Sequence, residues 1–539
     1  MSGTARLALF TLRTERWHLT AWVLGITALV LASATAVVTE FAAESARASI
    51  VAVAAANPAF LFLRGTPDGT SPGSVFFFQG FTFIAVLTGL MSTFLVVRNT
   101  RANEDTGRAE LVGALPLRRT SVVIAVLGVL LLADVVLGLL VAAALLAVGL
   151  DAGGAALTGL ATTSVGLVFG AVAAVVTQVM PTSRGANGAS AALVGVAYLA
   201  RAWGDATGRA NAELTKVDSA WPSWLSPIGW AQAVSPFGEA DVRPLLLSLG
   251  LTAVLGAVAV AMQRGRDLGA SVLRERPGRA AASPVLRSAV SLAFRAQWPT
   301  LVGWSIAAAV LGSIAGALAP TVADAIGGNA SLRELIARLL PGTRADTVDV
   351  FTTAILGICG VLAAAAGVQA VLRARAEEGE GRVELVLSAP VHRARWLLGH
   401  VLVGFFSVVV VATVAGCAAG LTFLLGGEPG ERVPGSLAAA LAHVPAALVL
   451  VAASALLYAL APRVAIAASW ALLVLALVAG QFGDLLQLPQ EVRDLSPFAH
   501  SSALPLEPLD GVAVIVLCGI AAAGTIVAVI AFRRRDIPV

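Results

Sequence analysis

Two stretches decide how this chain is built: RANEDTGRAELVGALPLRR, Arg101–Arg119, and RARAEEGEGRVELVLSAPVHR, Arg373–Arg393. A shift of 274 residues pairs Arg101 with Arg375, Glu104 with Glu378, Gly107 with Gly381 and Arg108 with Arg382. The same shift pairs Glu110 with Glu384, Leu111 with Leu385, Pro116 with Pro390 and Arg119 with Arg393. The eight identities just named fall within 19 positions, far beyond what composition produces. Smaller echoes agree: Leu225-Ser226-Pro227 with Leu495-Ser496-Pro497, Arg266-Asp267 with Arg535-Asp536, and Pro181 with Pro462.

The sequence around these stretches is strongly apolar. Of 539 residues 58% are hydrophobic and 13% charged, with mean hydropathy +0.87, whereas a soluble domain carries about 25% charged residues. A helix needs about 20 apolar residues to cross a bilayer. Runs of that length lie near residues 19–38, 75–97, 121–149, 155–179, 186–203 and 244–262, then 300–319, 350–372, 396–425, 436–461, 464–483 and 511–532. The expected fold is an all-α membrane protein of twelve transmembrane helices in two parallel six-helix repeats, since six crossings return the chain to its starting side. The expected divisions are residues 1–262 (first half), 263–299 (cytoplasmic linker and second interfacial helix) and 300–539 (second half).

Charge sets the orientation. With both termini cytoplasmic, 25 of the 36 basic residues fall inside, and the inner side carries a net +14 against −9 outside. This is the arrangement that Lys and Arg bias imposes on membrane proteins, and it predicts a multi-pass protein of a bacterial plasma membrane. The tryptophans fit it: Trp17, Trp22, Trp298, Trp304 and Trp396 at inner span ends, Trp203, Trp221, Trp224 and Trp230 at the outer face. A net charge of +4 in so apolar a chain argues against nucleic-acid binding. Cys359, Cys417 and Cys518 each sit in an apolar run without metal or disulfide spacing.

Both repeated stretches fall on the cytoplasmic side and suit short amphipathic helices, near 101–116 and 375–390. Glu104 and Arg108 are four apart and can pair, as can Glu378 and Arg382, while Pro116 and Pro390 stop each helix. Two such helices could be gripped by a pair of soluble partner domains; the alternative is a pair of solvated loops that only hold orientation. Nothing points to catalysis. The five histidines have no ligand spacing, no GxSxG elbow occurs, and the single lysine, Lys216, follows no glycine, so the chain has no P-loop. Transport driven by ATP would need a separate ATPase chain.

These residues resemble the ABC type-2 exporter permeases. Within them they resemble the fused twelve-span actinobacterial subunits of the tetronasin or polyketide-antibiotic exporter type, a group that includes a mycobacterial multidrug efflux pump. The resemblance rests on EDTGRAELV and EEGEGRVELV, on WLSPIGWAQAVSPF from Trp224 to Phe237 with its echo LSPFAHSS, and on the six-plus-six plan. It implies a membrane subunit, not an enzyme, that exports lipophilic drugs or antibiotics. It implies two copies of a separate ATPase subunit, which would hold the ATP and Mg, with no cofactor in this chain. It makes the repeated loops coupling helices, with Glu104, Gly107, Arg108, Glu110, Leu111, Glu378, Gly381, Arg382, Glu384 and Leu385 as the ATPase-coupling residues. It further implies interfacial helices around Arg13–Trp22 and Arg295–Trp304, and external re-entrant pieces at Ser226-Pro227 and Ser496-Pro497.

Asp134 is the one carboxylate placed deep in a predicted span, where a charge costs about 2.5–3.5 kcal/mol. It is a candidate for the substrate path, or else an acid paired with a polar neighbour. The resemblance puts the second and fifth spans of each half on that path, which nominates Phe81, Asn187, Tyr198, Gln369, Trp470 and Gln481. Two rival readings stay open. A proton-coupled transporter of the major facilitator type shares the six-plus-six plan and a charged loop after spans 2 and 8, and a membrane scaffold would need no ATPase.

Overall fold

The computed structural model describes residues 3–273, 281, 283, 286, 288–327, 347–427, 430–481 and 489–536. Part of the expected linker within 263–299, and residues 328–346 between two expected spans, lie outside these residues. The chain divides into two compact units, Met1–Gly278 and Arg279–Val539. Helices dominate both, as expected for an all-α membrane protein, and the described strands are one two-stranded hairpin.

In the first unit the helices are α1 (Gly3–Glu40), α2 (Glu44–Ala55), α3 (Pro58–Arg64), α4 (Pro72–Asn99), α5 (Arg101–Asp105) and α6 (Arg108–Gly113). They continue with α7 (Ser121–Ala147), α8 (Ala152–Val179), α9 (Ser183–Ala206), α10 (Pro227–Gln232) and α11 (Arg243–Gly265). In the second unit they are α12 (Ala289–Gly327), α13 (Thr347–Gly379), α14 (Arg382–Leu387), α15 (Arg393–Leu425) and α16 (Arg432–Ala442). The last four are α17 (Val444–Leu460), α18 (Ala465–Gln481), α19 (Gln490–Arg493) and α20 (Gly511–Arg534).

Among the described residues ten helices are long and apolar enough to cross a membrane. The helices at the fifth position of each half are not among the ten. Helix α9 has 24 residues but carries Arg184, Asn187, Arg201 and Asp205, and α18 is apolar over its 17 described residues, which end at Gln481. The span expected near 436–461 is one of the ten, Arg432–Leu460, built from α16 and α17 with a turn at His443. Pro445 explains the break, because its ring has no N–H to give the turn before it and crowds the carbonyl four residues back. The interfacial segments expected around Arg13–Trp22 and Arg295–Trp304 are continuous with the apolar helices that follow them, within α1 and α12.

Small residues let the helices approach closely, which is how helices pack where lipid gives no hydrophobic drive. In the first unit α8 packs on α4, α7 and α11. A Cβ on Gly138 or on Gly159 would collide with the other glycine's carbonyl oxygen. In the second unit α12 lies along α15, where a Cβ on Gly312 would strike the Ala415 carbonyl and one on Gly316 that of Ala419. The repeated Ser-Pro dipeptides open short helical turns. Ser226 Oγ accepts from the N–H groups of Ile228 and Gly229 at 3.2 and 3.3 Å, and Ser496 Oγ accepts from Phe498 N–H at 3.3 Å, with proline at the first helical position each time. Serine as the cap and proline next is the favoured chemistry for a helix start.

Candidate functional site

The repeated loops are short helices hinged on a glycine. In the first unit α5 and α6 are separated by Gly107 at φ +72°, and in the second α13 passes to α14 through Gly381 at φ +71°. An L side chain is strained in that left-handed region, which accounts for glycine at both positions. One continuous helix from Arg101 to Pro116 is therefore replaced by two pieces, since no ordinary helix passes through a left-handed residue.

The expected pairing of Glu104 with Arg108 is replaced by contacts with Arg101 and Arg266. Glu104 is buried between Arg101, whose Nη1 donates to Oε2 at 2.5 Å, and Arg266, whose Nη2 donates to Oε1. Arg266 lies just past the end of α11, 162 residues away in sequence. The second loop repeats this arrangement. Glu378 Oε1 accepts from Arg535 Nη2 just past the end of α20, Arg375 Nη1 lies 4.0 Å from the same oxygen, and Tyr458 hydroxyl donates to Oε2 at 2.6 Å. Arg382 pairs instead with Glu380. Each loop is also tied to the segment between the fourth and fifth helices of its unit. Asp105 Oδ2 accepts from Ser183 N–H at 2.6 Å at the start of α9, and Arg375 Nε donates to the Pro462 carbonyl at 3.0 Å before α18.

With the acids at the base held down, the tips are left outward. Leu111 and Leu385 are each 76% exposed, and Leu115 is 53% exposed. Arg108, Glu110 and Glu384 lie in α6 and α14 beside these leucines. Leu111 and Leu385 thus hold matching exposed positions in the two loops.

Asp134 is wholly buried in α7. Its Oδ1 accepts from Ser92 hydroxyl of α4 at 2.8 Å, its backbone carbonyl accepts from Thr163 hydroxyl of α8 at 3.1 Å, and a Cβ on Gly166 of α8 would collide with its carboxyl. The acid is thus packed among three helices with serine as its polar partner. Asp134→Asn keeps the shape and an acceptor for Ser92, so it is expected to change stability by less than about 1 kcal/mol. Asp134→Leu, which strands the Ser92 hydroxyl and adds branched carbon against Gly166, is expected to cost roughly 1–3 kcal/mol. Melting temperatures of the purified variants check both, and equal losses would show that packing of the carboxyl is not what matters.

The other path candidates fall in varied surroundings. Phe81 is buried and stacked on Phe77, ring centroids 4.3 Å apart. Asn187 Oδ1 is a buried acceptor without a hydrogen bond among the described residues. Tyr198 donates to the Leu63 carbonyl at 3.1 Å, and the Arg201 guanidinium lies over its ring. Gln369 is exposed and accepts from Trp304 Nε1 at 2.5 Å, Trp470 is half-buried against the core of the second unit, and Gln481 packs on Gly357. Arg266 and Arg535 escaped nomination as site residues. Their signal was present in the repeated Arg-Asp pair, which marked the repeat without revealing its partner.

A family model described as the C-terminal domain of the multidrug efflux system permease Rv1217c matches residues 286–533. The whole chain is similar to the multidrug efflux system permease protein Rv1217c of Mycobacterium tuberculosis. The two are 32% identical over 538 residues, covering 99% of this chain and 95% of that protein.

Proposed function

Since this chain belongs to the family of the multidrug efflux system permease Rv1217c, we propose that it is the plasma-membrane permease subunit of an ATP-driven ABC exporter that moves lipophilic drugs or antibiotics out of the cell. The chain has no P-loop, so the energy comes from a separate ATPase subunit, one copy docking on each repeated loop. In this reading α9 and α18 complete six crossings in each half, both termini are cytoplasmic, and the halves are parallel repeats. Polyketide-type antibiotics are fitting cargo, and the second and fifth helices of each half line the path.

The observation that carries this reading is the pair of leucines at matching positions in the two loops, equally exposed while the acids beneath them are locked. A partner that covers Leu111 and Leu385 removes apolar surface from water, at roughly 25 cal/mol per Å², and then moves the loop that it grips. Arg108 and Arg382 at the starts of α6 and α14, with Glu110 and Glu384 two residues on, supply the charges that orient it.

Leu111→Glu together with Leu385→Glu is therefore expected to reduce co-purification of the ATPase subunit at least tenfold and to abolish drug efflux, while leaving the amount of chain in the membrane unchanged. Each single variant should give an intermediate loss. Full association of the double variant with its ATPase would overturn the docking assignment, and an unchanged drug sensitivity in cells lacking the native chain would overturn export itself.

A further inference from the structure

We propose that Arg266 and Arg535 are positioning residues that carry displacement of each repeated loop into the last helix of its own half. The role in transport rests on the exporter reading above; the mechanical tie does not. The observations are two independent copies of one arrangement. Arg266 follows α11 and Arg535 follows α20, and each guanidinium holds the buried acid of its loop, Glu104 or Glu378, with a second arginine beside the same carboxylate: Arg101 on the other oxygen of Glu104, and Arg375 4.0 Å from the shared oxygen of Glu378. Each is also fixed by a second bond, Arg266 to the Ala270 carbonyl and Arg535 Nη1 to the Tyr458 carbonyl at 2.9 Å. A repeated arginine 162 residues from its acid in one half and 157 in the other is not explained by local helix stability.

The geometry dictates what moves with what. The glycines at 107 and 381 give each loop a pivot on its tip side, whereas the acid on its base side is bonded through guanidinium to the end of the last helix. A push on the tip therefore reaches the last helix through a charge-assisted bond to a buried carboxylate. Without the arginine the tip would still bind a partner, but its movement would stop at the pivot.

Arg266→Gln and Arg535→Gln in the full chain test this in two arms. In the first, amide hydrogen exchange of the purified chain alone is expected to rise at least tenfold in the loop (104–113 or 378–387) and at the end of the last helix, only in the half that carries the substitution. Unchanged exchange at both places would sink the tie. In the second, with the ATPase subunit in proteoliposomes, drug exported per ATP hydrolysed is expected to fall at least fivefold while ATPase association stays at the wild-type level, and Arg→Lys should recover most of it. A normal export ratio, or export lost only in step with membrane content, would overturn the transmitting role. If the wild-type pair shows no ATP-dependent export, the exporter reading fails and the transmitting role fails with it, while the exchange arm still decides the tie.

Discussion

Replacing both Gly312 and Gly316 with leucine is expected to remove most of the correctly folded second half from the membrane. The two glycines are four apart, so they lie on one face of α12, and along that face the helix meets Ala415 and Ala419 of α15 with backbone against backbone. No rotamer relieves the clash, because the first side-chain carbon already strikes a carbonyl oxygen of the neighbouring helix. Overpacking a core usually costs about 1–3 kcal/mol per site, and two sites on one rigid crossing put the loss on the order of 5 kcal/mol, comparable with a whole domain's stability of about 5–15 kcal/mol. Gly303 on the same helix has open space around its Cα, so Gly303→Leu is expected to be close to neutral. The fraction of chain that elutes as a single species after detergent extraction measures this, and a double variant that behaves like Gly303→Leu would show that α12 and α15 do not meet in this way.

That close crossing was only partly legible in the sequence. The small-residue spacing at Gly312 and Gly316 was present, but it does not say which helix supplies the other face. Most of the long helices were legible, because each apolar run is long enough that few other structures could satisfy its backbone in lipid. The fifth helices were less so: α9 reads as a crossing by length, yet its charges belong to contacts with elements far away in sequence. The same limit explains Glu104. Spacing of four offered Arg108 as a partner, but a surface pair of that kind contributes only about 0.3–0.5 kcal/mol, and the loop instead turns the acid inward to Arg101 and Arg266. For Asp134 the partner is Ser92, 42 residues away on another helix, which no periodicity indicates. The segments near 39–74 and 204–243 lie between the apolar runs, with only Ser226-Pro227 marked by the resemblance, and the structure builds α2, α3, α10 and a hairpin of β1 (Arg209–Ala210) and β2 (Val217–Asp218) there. Those elements are too short to show a period of their own.

The charges on α9 give the second large effect. Arg201 and Asp205 are one turn apart on this helix, both fully buried, with Nη1 to Oδ2 at 3.1 Å. Ser219 hydroxyl donates to Asp205 Oδ1 at 2.6 Å and Gln232 Nε2 donates to Oδ2 at 3.1 Å, so the acid binds α9 to the segment after the hairpin and to α10. Arg201 in turn donates to the Leu61 carbonyl of α3 at 3.4 Å and covers Tyr198. Asp205→Ala removes the counter-charge and leaves a guanidinium shut away from water, which typically costs about 3–5 kcal/mol. Arg201→Met with Asp205→Ala removes both charges and restores apolar bulk, so it should cost distinctly less than Asp205→Ala alone. The order expected in thermal unfolding is wild type, then the double variant, then Asp205→Ala, and protease cleavage within residues 209–218 should rise in the same order because the hairpin segment loses its anchor. A double variant less stable than Asp205→Ala would mean that Arg201 holds this end of α9 through the Leu61 carbonyl and the Tyr198 ring, not through the ion pair.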